Sequence, residues 1–184
     1  MKNISIGLFL ICASTAMPTF FANEVTLKGG HETVAADHGR PIILIAAGLG
    51  VAPQVFRDAF IHVKPAPIGQ EPDPEQVRRN KEALLSALSK YGVTNELLDT
   101  VSNYYRYPPG RNNVWRSRTS EIEAIIVKNV VTGFKVVNGG SGYTSVPIIS
   151  VAGHPEVKAV ATVVYSKDLS KNGSISKVEI VKKP

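Results

Sequence analysis

Cysteine is almost absent from this sequence, and its scarcity limits the chemistry open to the protein. The chain has 184 residues and one cysteine, Cys12. It lies within residues 1–22, where an early Lys2 is followed by an apolar run and then by small residues, the layout of a bacterial secretory signal peptide. The apolar run is too short to span a bilayer. We expect cleavage after Ala22, with Ala16 as the alternative site, and an exported protein that is periplasmic or extracellular.

After such cleavage no cysteine remains, which excludes disulfide bonds, thiolate metal ligands and a cysteine nucleophile. The sequence also lacks a Gly-x-Ser-x-Gly elbow, a phosphate-binding Walker loop and a dinucleotide-binding glycine pattern. We therefore predict no catalytic residue and no cofactor from motifs, and no membrane span in the mature chain. The net charge of +6 is mildly basic and matters mainly where it is clustered.

Two kinds of periodicity divide the chain. From Pro41 to about Tyr105 the pattern is helical, whereas from Glu121 onward short alternating runs of β-branched residues predict strands. The sequence predicts an α+β fold, with an N-terminal four-helix unit of two helical hairpins followed by a small antiparallel β-unit. The predicted boundaries are a signal peptide at 1–22, a helical domain at 23–106, a connector at 107–120 and a small β-repeat domain at 121–184.

The helical hairpins are predicted from two similar segments, residues 42–60 and 84–102, each reading helix, Gly-Val, small residue, helix. Gly50 and Gly92 can adopt the left-handed conformation that ends a helix, and Thr94 can cap the helix that follows Gly92. A further helix begins at Asp73 as its cap, with an expected core face of Val77, Leu84, Leu88 and Tyr91.

The order Ala46, Gly50, Val51 is also found in DNA-binding helix-turn-helix units. The same turn serves any short helical corner, and an exported protein meets little DNA. We therefore expect no DNA partner.

Predicted strands cover residues 122–128, 131–137, 146–151, 157–165 and 174–182. Between the second and third stands "GSGYTSVP", residues 140–147, in which glycines permit a tight turn and Tyr143 supplies an apolar anchor. Residues 130–138 and 174–182 repeat one another weakly. The stretch resembles the Gly-Ser-Gly-Tyr-Thr-Ser-x-Pro element repeated in many bacterial secreted and surface proteins and in some phage proteins. The resemblance covers about residues 124–182 and implies a small β-repeat in an exported protein, without catalytic residues.

Residues 168–179, "DLSKNGSISKVE", have the spacing of a calcium-binding EF-hand loop that begins at Asp168 and ends at Glu179. An EF-hand loop lies between helices, but the flanking sequences here are typical of strands. Only Asp168 and Glu179 would offer carboxylates, and Lys167, Lys171 and Lys177 would crowd the ion. We interpret the stretch as a β-hairpin whose turn is Asn172-Gly173, and we predict no metal site in it.

The segment "GGHETVAADHGRP" brings His31, Glu32, Asp37 and His38 close together in sequence. Imidazoles and carboxylates bind zinc or carry out acid-base chemistry, so a metal-dependent or acid-base hydrolase using His31, Asp37 and His38 is one alternative function. The spacing of the two histidines does not match a helical metal motif. The simpler interpretation is that Asp37 and His38 cap the helix at Pro41 and that His31 lies on the surface.

The stretch "YYRYPPGRNNVWRSR", residues 104–118, combines aromatic rings with arginines, and no acidic residue lies between Asp99 and Glu121. Guanidinium groups bind carboxylate or phosphate, and aromatic rings offer flat faces to sugars. The residues we predict for ligand binding are Tyr104, Tyr105, Arg106, Tyr107, Arg111, Trp115, Arg116 and Arg118. The competing interpretation makes Tyr104, Tyr105 and Trp115 core residues and the arginines solvated.

The function predicted from sequence is an exported, non-enzymatic binding or interaction module that docks an anionic envelope polymer or glycan. The alternatives are the hydrolase described above and a purely structural envelope component. The sequence does not indicate an oligomeric state.

Overall fold

A computed structural model of the protein describes residues 24–64, 73–106 and 114–181. The predicted signal peptide lies outside these residues. Those described form an α+β protein, as predicted, with four α-helices and six strands. The helices are α1 (Ile42–Leu49), α2 (Pro53–Phe60), α3 (Pro74–Leu88) and α4 (Asn95–Tyr104). The strands are β1 (Val25–Lys28), β2 (Glu121–Val127), β3 (Val130–Asn138), β4 (Ile148–Val151), β5 (Ala159–Val164) and β6 (Ser174–Ile180).

The helix ends follow the local chemistry that the sequence predicts. The side chain of Asp73 accepts a hydrogen bond from the amide of Glu75 at 3.2 Å, and Thr94 Oγ1 accepts one from the amide of Leu97 at 3.2 Å. Gly50 follows α1 with φ of 75°, in the left-handed conformation that favours glycine. These helix boundaries therefore arise from contacts within a few residues.

The arrangement of the helices as two hairpins is not confirmed, because α1 and α2 are bent by 105° relative to each other. In the described part of the chain, no single helix is long and apolar enough to cross a membrane; α1 and α2 meet those criteria only as this bent pair.

The predicted core face of α3 is only half right. Leu84 and Leu88 are buried, whereas Val77 is 47% exposed and Tyr91 is 49% exposed. The reason for Val77 is that the first turns of α3 pack through polar contacts, since the side chains of Gln76 and Asn80 both donate to the carbonyl of Lys64. Tyr91 lies beyond the end of α3, in a short 3-10 turn (Ser89–Tyr91).

The strands form three antiparallel pairs, β1 with β4, β2 with β3, and β5 with β6. Five of the six strands were predicted, but β1 was not. It lies within the range predicted as a helical domain, yet it pairs with β4 in a register that places Val25 opposite Val151. The domain boundaries themselves stay a prediction.

Each part of the molecule has its own hydrophobic core. The helical core contains Leu44, Leu88 and Val101, and the core of the β-unit contains Tyr143, Ile149, Ile175 and their neighbours. The connection between β5 and β6, residues 165–173, joins the two, because Tyr165 and Leu169 pack against the helical core.

The EF-hand-like stretch is flanked by β5 and β6, as the hairpin interpretation predicted. Glu179 lies within β6 and pairs with Lys177 at 2.7 Å, and the carboxylate of Asp168 accepts hydrogen bonds from the amide and hydroxyl of Ser170. The predicted two-residue turn is wrong, however. The connection spans residues 165–173, and Asn172 is completely buried because its side chain bonds to the helical part.

Candidate functional site

The eight residues predicted to bind a ligand separate into buried, exposed and undescribed groups. Tyr107 and Arg111 lie outside the described residues. Tyr105 is 3% exposed and Trp115 is 4% exposed, so both rings belong to the helical core rather than to a docking face. Tyr104 is half-buried, and Arg106, Arg116 and Arg118 are exposed. We call these last four residues the junction surface.

Trp115 connects the two parts of the molecule. Its ring packs in the helical core, while its Nε1 donates a hydrogen bond of 2.8 Å to the carbonyl of Gly142 in the β-unit. A buried indole N–H needs such a partner. Trp115 therefore fixes the position of the arginines next to it in sequence.

Tyr105 takes part in a second buried connection. The amide nitrogen of Asn172 donates to the Tyr105 hydroxyl at 2.9 Å and to the carbonyl of Leu44 at 2.7 Å. Burial raises the pKa of Tyr105 to about 12, although the hydrogen bond from Asn172 acts in the opposite direction. Tyr105 is thus neutral at physiological pH, and its hydroxyl accepts the hydrogen bond from Asn172 that joins the two parts.

The exposed arginines of the junction surface are held in place by different contacts. The guanidinium of Arg116 lies over the Tyr104 ring, 4.9 Å from its centroid, in a cation-π contact. Arg118 exchanges two backbone hydrogen bonds of 3.0 Å with Ser141. Its side chain donates to the Ser141 hydroxyl at 3.3 Å and to the carbonyl of Ser170. At least two arginines are therefore presented in defined orientations.

Residues distant in sequence add charge beside this surface. Lys171, whose side chain is 77% exposed, lies 3.8 Å from the carboxylate of Asp168. Hydrogen bonds from Ser170 lower the pKa of Asp168, and the nearby charges of Lys171 and Arg118 lower it further. The sequence does not indicate these neighbours, because the loop 165–173 reaches Arg118 only through the tertiary fold and no local pattern signals the contact.

The candidate metal and acid-base residues are not brought together. Within the described residues, no three side chains of His, Cys, Asp or Glu are grouped so that they could hold a metal ion. Asp37 is buried and accepts two hydrogen bonds from Arg57, at 2.7 and 2.9 Å. His38 is exposed, with φ of 49°.

Two structural expectations for this segment are wrong. No side chain caps the start of α1 at Pro41, because the carboxylate of Asp37 bonds to Arg57 instead. His31 is not a simple surface residue. Its ring lies 5.2 Å from the Tyr143 ring and 6.0 Å from the Trp115 ring, and its Nε2 is buried with no hydrogen-bond partner among the described residues.

The "GSGYTSVP" element holds residues 29–41, which we call the N-terminal segment, against the β-unit. Tyr143 is buried, as predicted, and its hydroxyl accepts a hydrogen bond from the amide of Ser120. The Thr144 hydroxyl donates to the carbonyl of Glu32 at 2.8 Å, and the Ser145 hydroxyl donates to the Glu32 carboxylate. The resemblance of this element to repeats of secreted proteins stays a prediction. Comparisons of the chain with protein-family models, curated proteins and solved structures give no match.

Proposed function

We propose that this protein is an exported, non-enzymatic binding module whose junction surface docks an anionic polymer, such as an acidic glycan of the bacterial envelope. The observation that carries the proposal is the stacking of the exposed Arg116 guanidinium on the Tyr104 ring, beside the anchored Arg118. The envelope as the source of the ligand rests on the signal peptide predicted at residues 1–22.

The chemistry of the surface fits such a ligand. A guanidinium donates two parallel hydrogen bonds to a carboxylate or a phosphate, and stacking on an aromatic ring limits the orientations it must lose on binding. Arg106 adds an exposed positive charge where α4 ends, and Lys171 adds another from the loop 165–173. Repeated negative charges along a polymer would engage several of these groups at once.

A binding role is favoured over the hydrolase alternative by the state of the candidate catalytic groups. Asp37 is already engaged by Arg57, and the His31 ring packs against two aromatic rings. A general base must reach the proton that it removes. His38 is exposed, and the carboxylate of Asp37, which could accept an orienting hydrogen bond from it, is bound to Arg57 instead.

The proposal is tested with the double variant Arg106→Gln, Arg116→Gln. Its matched control is Arg78→Gln, Arg79→Gln, which removes the same charge from exposed positions of α3. Binding is measured to alginate, a carboxylated polysaccharide, and to a phosphodiester polymer, at 25 and 200 mM salt. Because two exposed charge contacts contribute about 0.5 to 1 kcal/mol each, we expect the junction variant to bind roughly 5- to 30-fold more weakly at low salt.

The control variant should stay within about 2-fold of the natural chain, and all binding should weaken as salt rises. Equal affinities of the two double variants would show that the junction surface does not bind these polymers. Duplex DNA is included as a further ligand, and tighter binding to DNA than to either polymer would contradict the envelope assignment.

A further inference from the structure

A cleft of about 240 Å³ lies between the N-terminal segment, the first two helices and the "GSGYTSVP" element. Its charged lining consists of Glu32, Asp37, Arg40 and Arg57, and its polar lining includes Thr144 and Ser145. Ile42 and Ile43, at the start of α1, add apolar surface. The cleft shares no residue with the junction surface. A ligand of the cleft is therefore independent of the proposed function.

One pair of charges in the cleft is already neutralised. Arg57 Nε lies 2.7 Å from one carboxylate oxygen of Asp37, and Arg57 Nη2 lies 2.9 Å from the other. This two-bond geometry fixes both side chains as a wall of the cleft. Asp37 and Arg57 therefore contribute little net charge to a ligand.

The other two charged residues, Glu32 and Arg40, form no ion pair with any described residue. The Glu32 carboxylate accepts hydrogen bonds from the amide of Gly30, at 2.9 Å, and from the Ser145 hydroxyl. The bond from Ser145 is the largest of the effects that lower the pKa of Glu32, so the carboxylate stays charged. It is therefore an oriented anion with no ion-pair partner among the described residues, and only the charge of the neighbouring His31 acts on it.

Arg40 is the complementary cation. Its guanidinium lies over the Phe60 ring, 5.0 Å from the centroid, and donates one long hydrogen bond of 3.5 Å to the carbonyl of Asp37. A guanidinium has five N–H donors, so most of its hydrogen-bonding capacity is available to a ligand.

We propose that this cleft binds a small zwitterion, a free amino acid or a short peptide, with its ammonium at Glu32 and its carboxylate at Arg40. Thr144 also lines the cleft, and Ile42 and Ile43 add apolar surface for the aliphatic part of the ligand. A volume of about 240 Å³ corresponds to roughly eight water molecules of liquid, which suits a ligand of that size class.

The balance of charges selects a zwitterion over a simple ion. An anion would be attracted to Arg40 but repelled by the carboxylate of Glu32. A cation would be attracted to Glu32 but repelled by the guanidinium of Arg40. A ligand with both charges satisfies both groups. Each unmatched charge should weaken binding by roughly 3- to 10-fold, the range of a partly exposed ion pair.

The test uses isothermal titration calorimetry with L-alanine and L-alanyl-L-alanine. Each is compared with an N-acetylated form, which lacks the ammonium, and an amidated form, which lacks the carboxylate. We expect the natural chain to bind at least one zwitterion and to bind both blocked forms at least about 3-fold more weakly. The preference between alanine and dialanine identifies an amino acid or a peptide as the ligand class.

The variants Glu32→Gln and Arg40→Gln should each lose a different preference between the zwitterion and one of its blocked forms. Glu32→Gln keeps a hydrogen-bond acceptor for Ser145, but it should no longer distinguish the zwitterion from its N-acetylated form. Arg40→Gln should no longer distinguish the zwitterion from its amide, and Arg40→Lys should restore part of that discrimination. Glu123→Gln and Arg79→Gln are charge-matched controls at exposed positions outside the cleft.

Melting temperatures establish that each variant is folded before it is titrated. Equal affinity of the natural chain for zwitterionic and blocked ligands, or no zwitterion binding at 10 mM, would overturn the proposal. So would variants that lose affinity for every ligand equally, because that pattern indicates a structural role for Glu32 and Arg40.

Discussion

The side chain of Asn172 offers the sharpest test of how the two parts of the molecule are held together. It is completely buried and makes three hydrogen bonds. Its nitrogen donates to the carbonyl of Leu44 at 2.7 Å and to the Tyr105 hydroxyl at 2.9 Å, and its oxygen accepts from the amide of Ser166 at 3.2 Å. Asn172→Ala removes all three and leaves a small cavity.

The cost of this substitution follows from the partners left behind. The carbonyl of Leu44 and the hydroxyl of Tyr105 lie in the core, and an unsatisfied buried polar group costs about 1 to 3 kcal/mol. The amide of Ser166 is only half-buried and can bond to water. We expect Asn172→Ala to lower the free energy of unfolding by about 3 to 5 kcal/mol, and the melting temperature by roughly 6 to 20 °C for a chain of this size.

The assay is urea unfolding of the full chain, followed by the fluorescence of Trp115, the single tryptophan. Tyr105→Phe removes one of the three bonds and should cost about 0.5 to 1.5 kcal/mol. The double variant should cost about 1 kcal/mol less than the sum of the single variants, because both lose the same contact. Ser170→Ala, at an exposed position of the same loop, should change stability by less than about 0.5 kcal/mol. A loss below about 1 kcal/mol for Asn172→Ala would refute the assigned role of the buried amide.

Two further predictions concern alkaline stability and the glycine turn. Because burial raises the folded-state pKa of Tyr105 to about 12, above the value of about 10 in the unfolded chain, its contribution is complete below pH 10 and is lost as pH rises towards 12. Tyr105→Phe should flatten the fall in melting temperature over this range, and an unchanged slope would contradict the assignment. A Cβ at Gly140 would meet the carbonyl of Arg118 and lie 2.7 Å from the amide of Ser120, whereas a Cβ at Gly92 would meet nothing within 4 Å. Both glycines have positive φ, so Gly140→Ala should destabilise the protein by about 1 to 3 kcal/mol more than Gly92→Ala in parallel unfolding curves, and equal losses would show that crowding at Gly140 is unimportant.

The features that the sequence predicted correctly are those decided by neighbouring residues. The Asp73 and Thr94 caps each bond to an amide two or three residues away, and the predicted strands 122–128 and 131–137 correspond to β2 and β3, which pair as a hairpin. In such cases both interacting residues lie within one short stretch of sequence. The strand β1 was missed because it is only four residues long and its partner β4 lies more than 100 residues away.

The candidate site was predicted less well, because exposure depends on the tertiary fold. The stretch 104–118 combines aromatic rings with arginines, but nothing in its sequence distinguishes Tyr104, which is half-buried, from Tyr105, which is buried. Tyr105 packs in the helical core, and its hydroxyl bonds to Asn172, a residue 67 positions away. The cleft beside Glu32 and Arg40 also escaped sequence analysis, since Thr144 and Ser145 reach it from the β-unit.

The same contacts that hold the two parts together also shape the junction surface. Arg118 is oriented by Ser141 and by the carbonyl of Ser170, and Arg116 follows a tryptophan that is bonded to Gly142. If the helical part and the β-unit separate, these arginines lose their defined positions. The proposal that a ligand binds at the junction surface therefore implies that binding requires the docked arrangement, and that a ligand specific for this arrangement would stabilise it by mass action. The proposal consequently predicts that stability and binding at the junction surface are linked through the loop 165–173.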